Sequence, residues 1–235
     1  MKKSIFIIIL SFSAVIFAQP KTADKILKEV VDKFERIKDY TVDVQIKIDF
    51  SMVKVPDTKA TIYFKQPDKV KVDSKGFAML PKQSTNFSPM QFIQGDYTAI
   101  YVKSEQSGGN SLDVVKIIPN SDSSDVILST LWIDQDQKVI RKIETTGKSS
   151  GTLHVELSYE NKNQGLPSQV VFSFNLGNMD IPENATDGKD DSNREKGPGR
   201  RNLKMSGKVY ITYTGYKINT GLPDSLFEQK NKGEK

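Results

Sequence analysis

Val42-Asp-Val-Gln-Ile-Lys-Ile-Asp-Phe50 decides the fold class. Val42, Val44, Ile46, Ile48 and Phe50 alternate with Asp43, Gln45, Lys47 and Asp49. A period of two is the mark of a strand with one face buried and the other in water. Upstream the period is different. Ile26, Val30, Phe34 and Ile37 recur at helical spacing, with Leu27 and Val31 widening the stripe. Thr22 suits an N-cap, and Asp24 places a negative charge in the first turn, where the helix dipole favours it. The pattern predicts an amphipathic helix of about four turns, whose apolar stripe must lie on something apolar.

Downstream the strand rhythm continues. Ala60–Lys65 and Lys69–Asp73 flank Gln66-Pro67-Asp68, a turn that joins a hairpin or bends a long strand. Further strands are expected at 96–103, 112–118, 126–133, 138–145, 152–159, 169–176 and 208–218. Gly108-Gly109, Asp134–Gln137, Gly147–Gly151 and Asn161–Pro167 separate them. Roughly ten strands with little helix between them predict a mainly β domain (α+β) built on an antiparallel meander, and a sheet that wide curls or closes.

The first residues read as an export signal. Lys2 and Lys3 precede an apolar core, Ile5–Leu10 and Ala14–Phe17, and Ala18 is a small residue before Gln19-Pro20. The apolar run is shorter than the roughly 20 residues that span a bilayer. Cleavage after Ala18 is expected, giving a signal peptide at 1–18, one domain at 19–235 and a location in the periplasm or outside the cell. Removing Lys2 and Lys3 takes the formal charge from +5 to +3, spread among interleaved acidic and basic residues. That balance argues against nucleic acid as a partner, and no long apolar segment follows Ala18 to make an integral membrane protein. The absence of cysteine excludes disulfides, thiolate catalysis and cysteine-ligated zinc.

Two segments interrupt the rhythm. Residues 182–202 lack large apolar side chains and mix charge, glycine and proline, which predicts a mobile loop. Its Gly197-Pro-Gly-Arg-Arg201 lacks the Gly-Lys-Ser/Thr ending of a phosphate-binding loop. In Gly76–Gly95, Phe77, Met79, Leu80, Phe87, Met90, Phe92 and Ile93 crowd together without alternation. They form either the lip of a pocket, where thioethers adapt to irregular partners, or ordinary packing over the core.

Catalytic groupings are scarce. His154, the one histidine, falls on the polar side of its strand with no nucleophile or metal partner in view. Asp134 and Asp136 read as turn formers rather than a glycosidase pair, and Asp122 and Asp125 lack calcium-loop spacing. No cofactor or metal is implied, and an enzyme is not expected.

Taken together, the leader, the helix, Ala60-Thr-Ile-Tyr-Phe-Lys-Gln-Pro-Asp-Lys-Val70, Leu131-Trp-Ile-Asp134, Ile140-Arg-Lys-Ile143, Leu166-Pro167 and Gly207-Lys-Val-Tyr-Ile-Thr-Tyr213 resemble the outer-membrane lipoprotein carrier (LolA-like) superfamily. Leu222-Pro-Asp-Ser-Leu-Phe227 is similar to its closing segment, in which a phenylalanine docks after the last strand. The resemblance implies a single curved antiparallel sheet forming an incomplete β-barrel, with the N-terminal helix and short lid helices over an apolar cavity. It implies a divergent periplasmic lipoprotein-sorting protein that carries lipid or lipoprotein acyl chains between inner- and outer-membrane donor and acceptor proteins. It also admits the superfamily's regulatory branch, which senses envelope stress, and a β domain with a filled core and no ligand remains open. On this reading Ile46, Ile48, Ile62, Phe64, Val70 and Trp132 line the cavity, and Phe77, Met79, Leu80, Met90 and Phe92 form its lip. Transport members hold their lid with an arginine before the turn proline. Here Gln66 stands in that place, and Val70 stands where they carry an aromatic.

Overall fold

The computed structural model describes residues 22–50, 53–54, 56–74, 89–93, 95–148, 151–160, 165–182 and 200–228. Helix α1 runs Ala23–Glu35, and the Thr22 hydroxyl caps it by accepting from the Lys25 N–H at 3.4 Å. Eleven strands follow: β1 Asp39–Phe50, β2 Val53–Lys54, β3 Thr58–Lys65, β4 Lys69–Asp73, β5 Tyr97–Ser107, β6 Asn110–Pro119, β7 Val126–Asp134, β8 Ile140–Gly147, β9 Thr152–Ser158, β10 Gln169–Pro182 and β11 Arg200–Ile218. All pair antiparallel in the order β4-β3-β1-β11-β10-β9-β8-β7-β6-β5, with β2 beside β1. The turn at Gln66–Asp68 makes a hairpin of β3 and β4, with Lys65 opposite Lys69.

The sheet must curve to make the core it has. Ten strands laid flat span roughly 45 Å at the usual interstrand spacing. Yet Ala60 and Ile62 from β3 share one buried cluster with Val115 and Ile117 from β6 and with Leu27 and Val30 from α1. Strands that far apart in the order meet only if the sheet wraps around the helix. The wrapping is incomplete, because β4 and β5 end the order without pairing each other.

Register separates the two faces. One row crosses eight strands as Ile48, Val209, Phe172, Val155, Ile143, Leu131, Val115 and Tyr101, all in or against the core. The neighbouring row reads Lys47, Tyr210, Val171, Glu156, Lys142, Trp132, Val114 and Lys103 and belongs to the convex face.

Three expectations change here. Among the described residues α1 is the only α-helix, and the short lid helices reduce to 3-10 turns at Pro89–Ile93 and Asp224–Leu226. β10 and β11 run past the expected ends at 176 and 208, so Pro182 and 200–202 are strand rather than loop, and 183–199 lies outside the described residues. Among the described residues no roomy apolar cavity is shown. A cavity of about 20 Å³, room for one water, lies between α1, Met90 and the segment Gly165–Pro167.

Candidate functional site

The candidate site is built on the concave face of the sheet and the helix seated on it. α1 turns Ile26, Leu27 and Val30 inward, and Leu27 retains only 1 % of its exposure. Below lie Val42, Ile62, Leu131, Ile143, Val155 and Val170. At the C-terminal end of the helix an aromatic cluster takes over. Phe34 meets Phe64 at 5.8 Å between ring centroids, Phe64 stacks on Tyr40 at 5.0 Å, and Tyr40 meets Tyr216 edge-on at 5.8 Å. Burial pushes the Tyr40, Tyr213 and Tyr216 hydroxyls well above their ordinary pKa, so they stay protonated.

Polar side chains fasten the rim of α1. The Gln66 amide donates to the Ile37 carbonyl at 2.7 Å and reaches the Phe34 carbonyl at 3.4 Å. Asn219 donates to the Arg36 carbonyl at 3.1 Å and accepts from the Lys38 N–H at 2.7 Å. These acceptors are helix-end or post-helix carbonyls that no fourth-following N–H satisfies. On the other side the Lys33 ammonium donates to the Gln137 carbonyl, and Glu29 pairs with Lys138 at 2.7 Å. Burial lowers the pKa of Lys33, against the opposing pull of Asp134. Gln66, before the turn proline, is thus tied to the end of α1 by hydrogen bonds.

Beneath this rim Asp39, almost fully buried, secures the C-terminal segment. Its carboxylate accepts from the Thr220 N–H at 2.8 Å, the Gly221 N–H at 3.0 Å and the Thr220 hydroxyl at 3.2 Å. Burial raises its pKa, but these bonds and the Leu222 N–H together outweigh burial and hold it below the ordinary aspartate value. The segment after β11 is pinned further by Lys65, which donates to the Leu222 carbonyl at 2.7 Å and pairs with Asp224 at 2.6 Å.

Of the residues expected to line a cavity, Ile46, Ile62 and Phe64 are buried, and Ile48 and Val70 are half-buried against the same core. Met90 is buried and Phe92 packs beside it, so the 3-10 turn covers the core. Phe77, Met79 and Leu80 lie outside the described residues. Trp132 is displaced from this group. It sits on the convex face, where its indole N–H donates to Glu105 at 2.8 Å and the Lys142 ammonium lies 4.3 Å from its ring centroid. In 126–133 both alternating rows are mainly apolar, one broken by Thr130 and the other by Ser129, so the sequence pattern does not choose between Trp132 and Leu131.

The acidic and histidine candidates have structural roles. Asp134 accepts from the Asp136 and Gln137 N–H groups at 3.0 and 2.8 Å and binds the Arg141 guanidinium at 3.0 Å, as a turn former does. His154 has a partner that the sequence did not show, Glu144 at 3.3 Å, and both are well exposed. Among the described residues no three His, Cys, Asp or Glu side chains are placed to hold a metal ion. No helix there is long and apolar enough to cross a membrane.

No protein-family model and no curated protein matches this sequence. Solved structures do match. A DUF1329 family protein from Desulfovibrio piger is 13% identical, with 89% of this chain and 98% of that one aligned at a TM-score of 0.57. A domain named for outer-membrane lipoprotein sorting, from Vibrio parahaemolyticus, is 10% identical over 87% and 97%, at 0.56. A LolA superfamily protein from Nitrosomonas europaea is 13% identical over 89% and 99%, at 0.51. The fold is LolA-like. At these identities the likeness is one of fold, and it spans nearly the whole of each of these structures. The expected curved, unclosed sheet is thus present, and among the described residues a helix packs into its concavity.

Proposed function

We propose that this chain is an exported carrier or binding protein for the acyl chains of lipids or lipoproteins, and that it performs no covalent chemistry. The observation that carries the reading is the seating of α1. Its apolar face fills the concave side of an unclosed sheet, while its rim is held by a few polar contacts from Gln66, Asn219, Lys33 and Glu29. Magnitudes support an exchange. Burying Ile26, Leu27 and Val30 contributes about 5–9 kcal/mol in all, and ten buried methylenes of an acyl chain about 8 kcal/mol. A lipid tail can therefore replace the helix at little net cost, and the helix reseats when the tail leaves. The LolA-like fold, found in a domain named for lipoprotein sorting, supports the same reading. So does the leader, whose removal leaves Gln19 as the N-terminus in the periplasm. Donor and acceptor proteins in the two membranes are the partners this role requires.

The test is mass spectrometry of organic extracts from protein purified out of its native envelope, with intact mass defining the N-terminus. Copurified lipid and an N-terminus at Gln19 are expected. A second arm uses Phe64→Glu, which places an unpaired carboxylate in the apolar floor. Circular dichroism must first show the variant folded. A folded Phe64→Glu protein that binds lipid as well as wild type removes Phe64 from the site. If neither protein binds any lipid or acylated peptide, the carrier reading fails and the sheet has a filled core.

A further inference from the structure

A groove of about 720 Å³ runs between the polar face of α1, the β7–β8 turn and the end of β11. Its size is that of a small-molecule site. Three cations, Lys33, Arg36 and Lys138, and three carboxylates, Glu29, Asp32 and Asp136, line it. Most are already engaged. Glu29 pairs with Lys138, Asp32 pairs with Lys28 at 2.7 Å, and Lys33 donates to the Gln137 carbonyl. Arg36, just past the end of α1, and Asp136, in the turn, have no ion-pair partner among the described residues, and both are exposed. One positive and one negative group thus stand uncompensated on different elements of the same groove. A third observation points to a ligand. Gln137 lines this groove, and its Oε1 is a buried acceptor with no hydrogen-bond partner among the described residues.

The groove also adjoins the apolar seam beneath the helix. Lys33 and Lys138 line both the groove and the small cavity whose other walls include Val30, Phe34, Met90 and Leu166. A molecule that spans the two has a polar end bearing both charges and an apolar end directed under α1. We propose that the groove seats the zwitterionic phosphoethanolamine head of an amphiphile, its phosphate on Arg36 and its ammonium on Asp136 and Gln137 Oε1. A guanidinium offers paired donors to a phosphate, and a primary ammonium supplies the donors that a carboxylate and an unsatisfied amide oxygen need. The balance of charge around the groove gives no general advantage to an anionic head. This assignment rests on the carrier reading for the tail but not for the head.

The experiment titrates the full chain with dihexanoyl phosphatidylethanolamine, phosphatidylcholine and phosphatidylglycerol by calorimetry. Phosphatidylethanolamine is expected to bind best. Asp136→Asn should weaken it roughly tenfold and abolish its preference over phosphatidylcholine, whose quaternary ammonium donates no hydrogen bond. Arg36→Gln should weaken every phosphate-bearing lipid. Both positions are exposed, so folding is retained. Two further probes separate the head from the tail: glycerophosphoethanolamine, which has no acyl chain, and dodecanol, which has no head. Dodecanol binding together with unchanged phosphatidylethanolamine affinity in both variants overturns the head site and leaves the carrier reading standing. Glycerophosphoethanolamine binding that depends on Arg36 and Asp136, without binding of dodecanol, supports the head site and removes the carrier reading. Equal or tighter binding of phosphatidylglycerol by wild type overturns the zwitterion assignment.

Discussion

Asp39 turns the protein's acid sensitivity into a local event. Its pKa is lower folded than unfolded, so the stabilisation it gives is complete above about pH 4 and is lost as the pH falls through the lowered value. Asp39→Asn should cost roughly 1–3 kcal/mol at neutral pH, because amide donors lose a charged acceptor. Thermal midpoints of the two proteins measured down the pH scale should converge below the folded pKa, and parallel curves would refute the clamp. The His154–Glu144 pair is a contrast. It is exposed, so His154→Ala should change stability by less than about 1 kcal/mol and leave lipid binding alone. Trp132 makes a third case, because it reports on Glu105 and Lys142 across the sheet from the core. Its fluorescence should stay constant while lipid binds, and a large change on binding would place the ligand on the convex face.

α1 is the element on which the proposed carrier role turns, and Gln66 is its most testable contact. Gln66→Ala leaves the Ile37 carbonyl without its side-chain donor, at a cost of about 1 kcal/mol. Hydrogen exchange in α1 should accelerate while exchange in β7–β9 stays as it was. A uniform acceleration would mean that Gln66 supports the whole fold. Much of the element plan was legible. Thr22 as cap, the helix stripe and a turn at Pro67 follow from spacing and turn chemistry, which are local, while the pairing of β3 with β4 decides for a hairpin over a bent strand. The lengths of β10 and β11 were not, because Met179 opposite Leu203 and Ile181 opposite Arg201 pair across a long sequence gap and in a polar context. Nor were the contacts that hold α1 in place, since Gln66, Asn219 and Gln137 are distant in sequence and meet only when the sheet curls. Val53–Lys54 was missed as a strand because two residues carry no period.

At the scale of the molecule, a one-sided sheet long enough to curl gives a concave apolar face, and the sequence needs only alternation to specify it. What occupies that face is less constrained. Helix and acyl chain offer it similar apolar area, which is why the strand pattern permitted either a cavity or a filled core. Substituting Leu27→Ala, which thins the plug without touching the floor, should lower stability by about 2–5 kcal/mol in the lipid-free protein. Added lipid should recover part of that loss, as linkage requires of a ligand that takes the place of the helix. If lipid shifts the melting of wild type and variant equally, the tail does not enter beneath α1.

The position of β11 has a consequence in time as well as space. The strand formed last along the chain lies between β1 and β10, so it alone joins the β1–β4 half to the β5–β10 meander. Tyr40 has to find Ile218 for that seam to close. Contacts so distant in sequence carry a large loop-closure cost and fold slowly. The growing polypeptide therefore has no route to the finished sheet until β11 has been synthesised. A chain ending at Gly199 should show strands by circular dichroism but no cooperative melt. A cooperative transition in that fragment would mean that the meander folds alone.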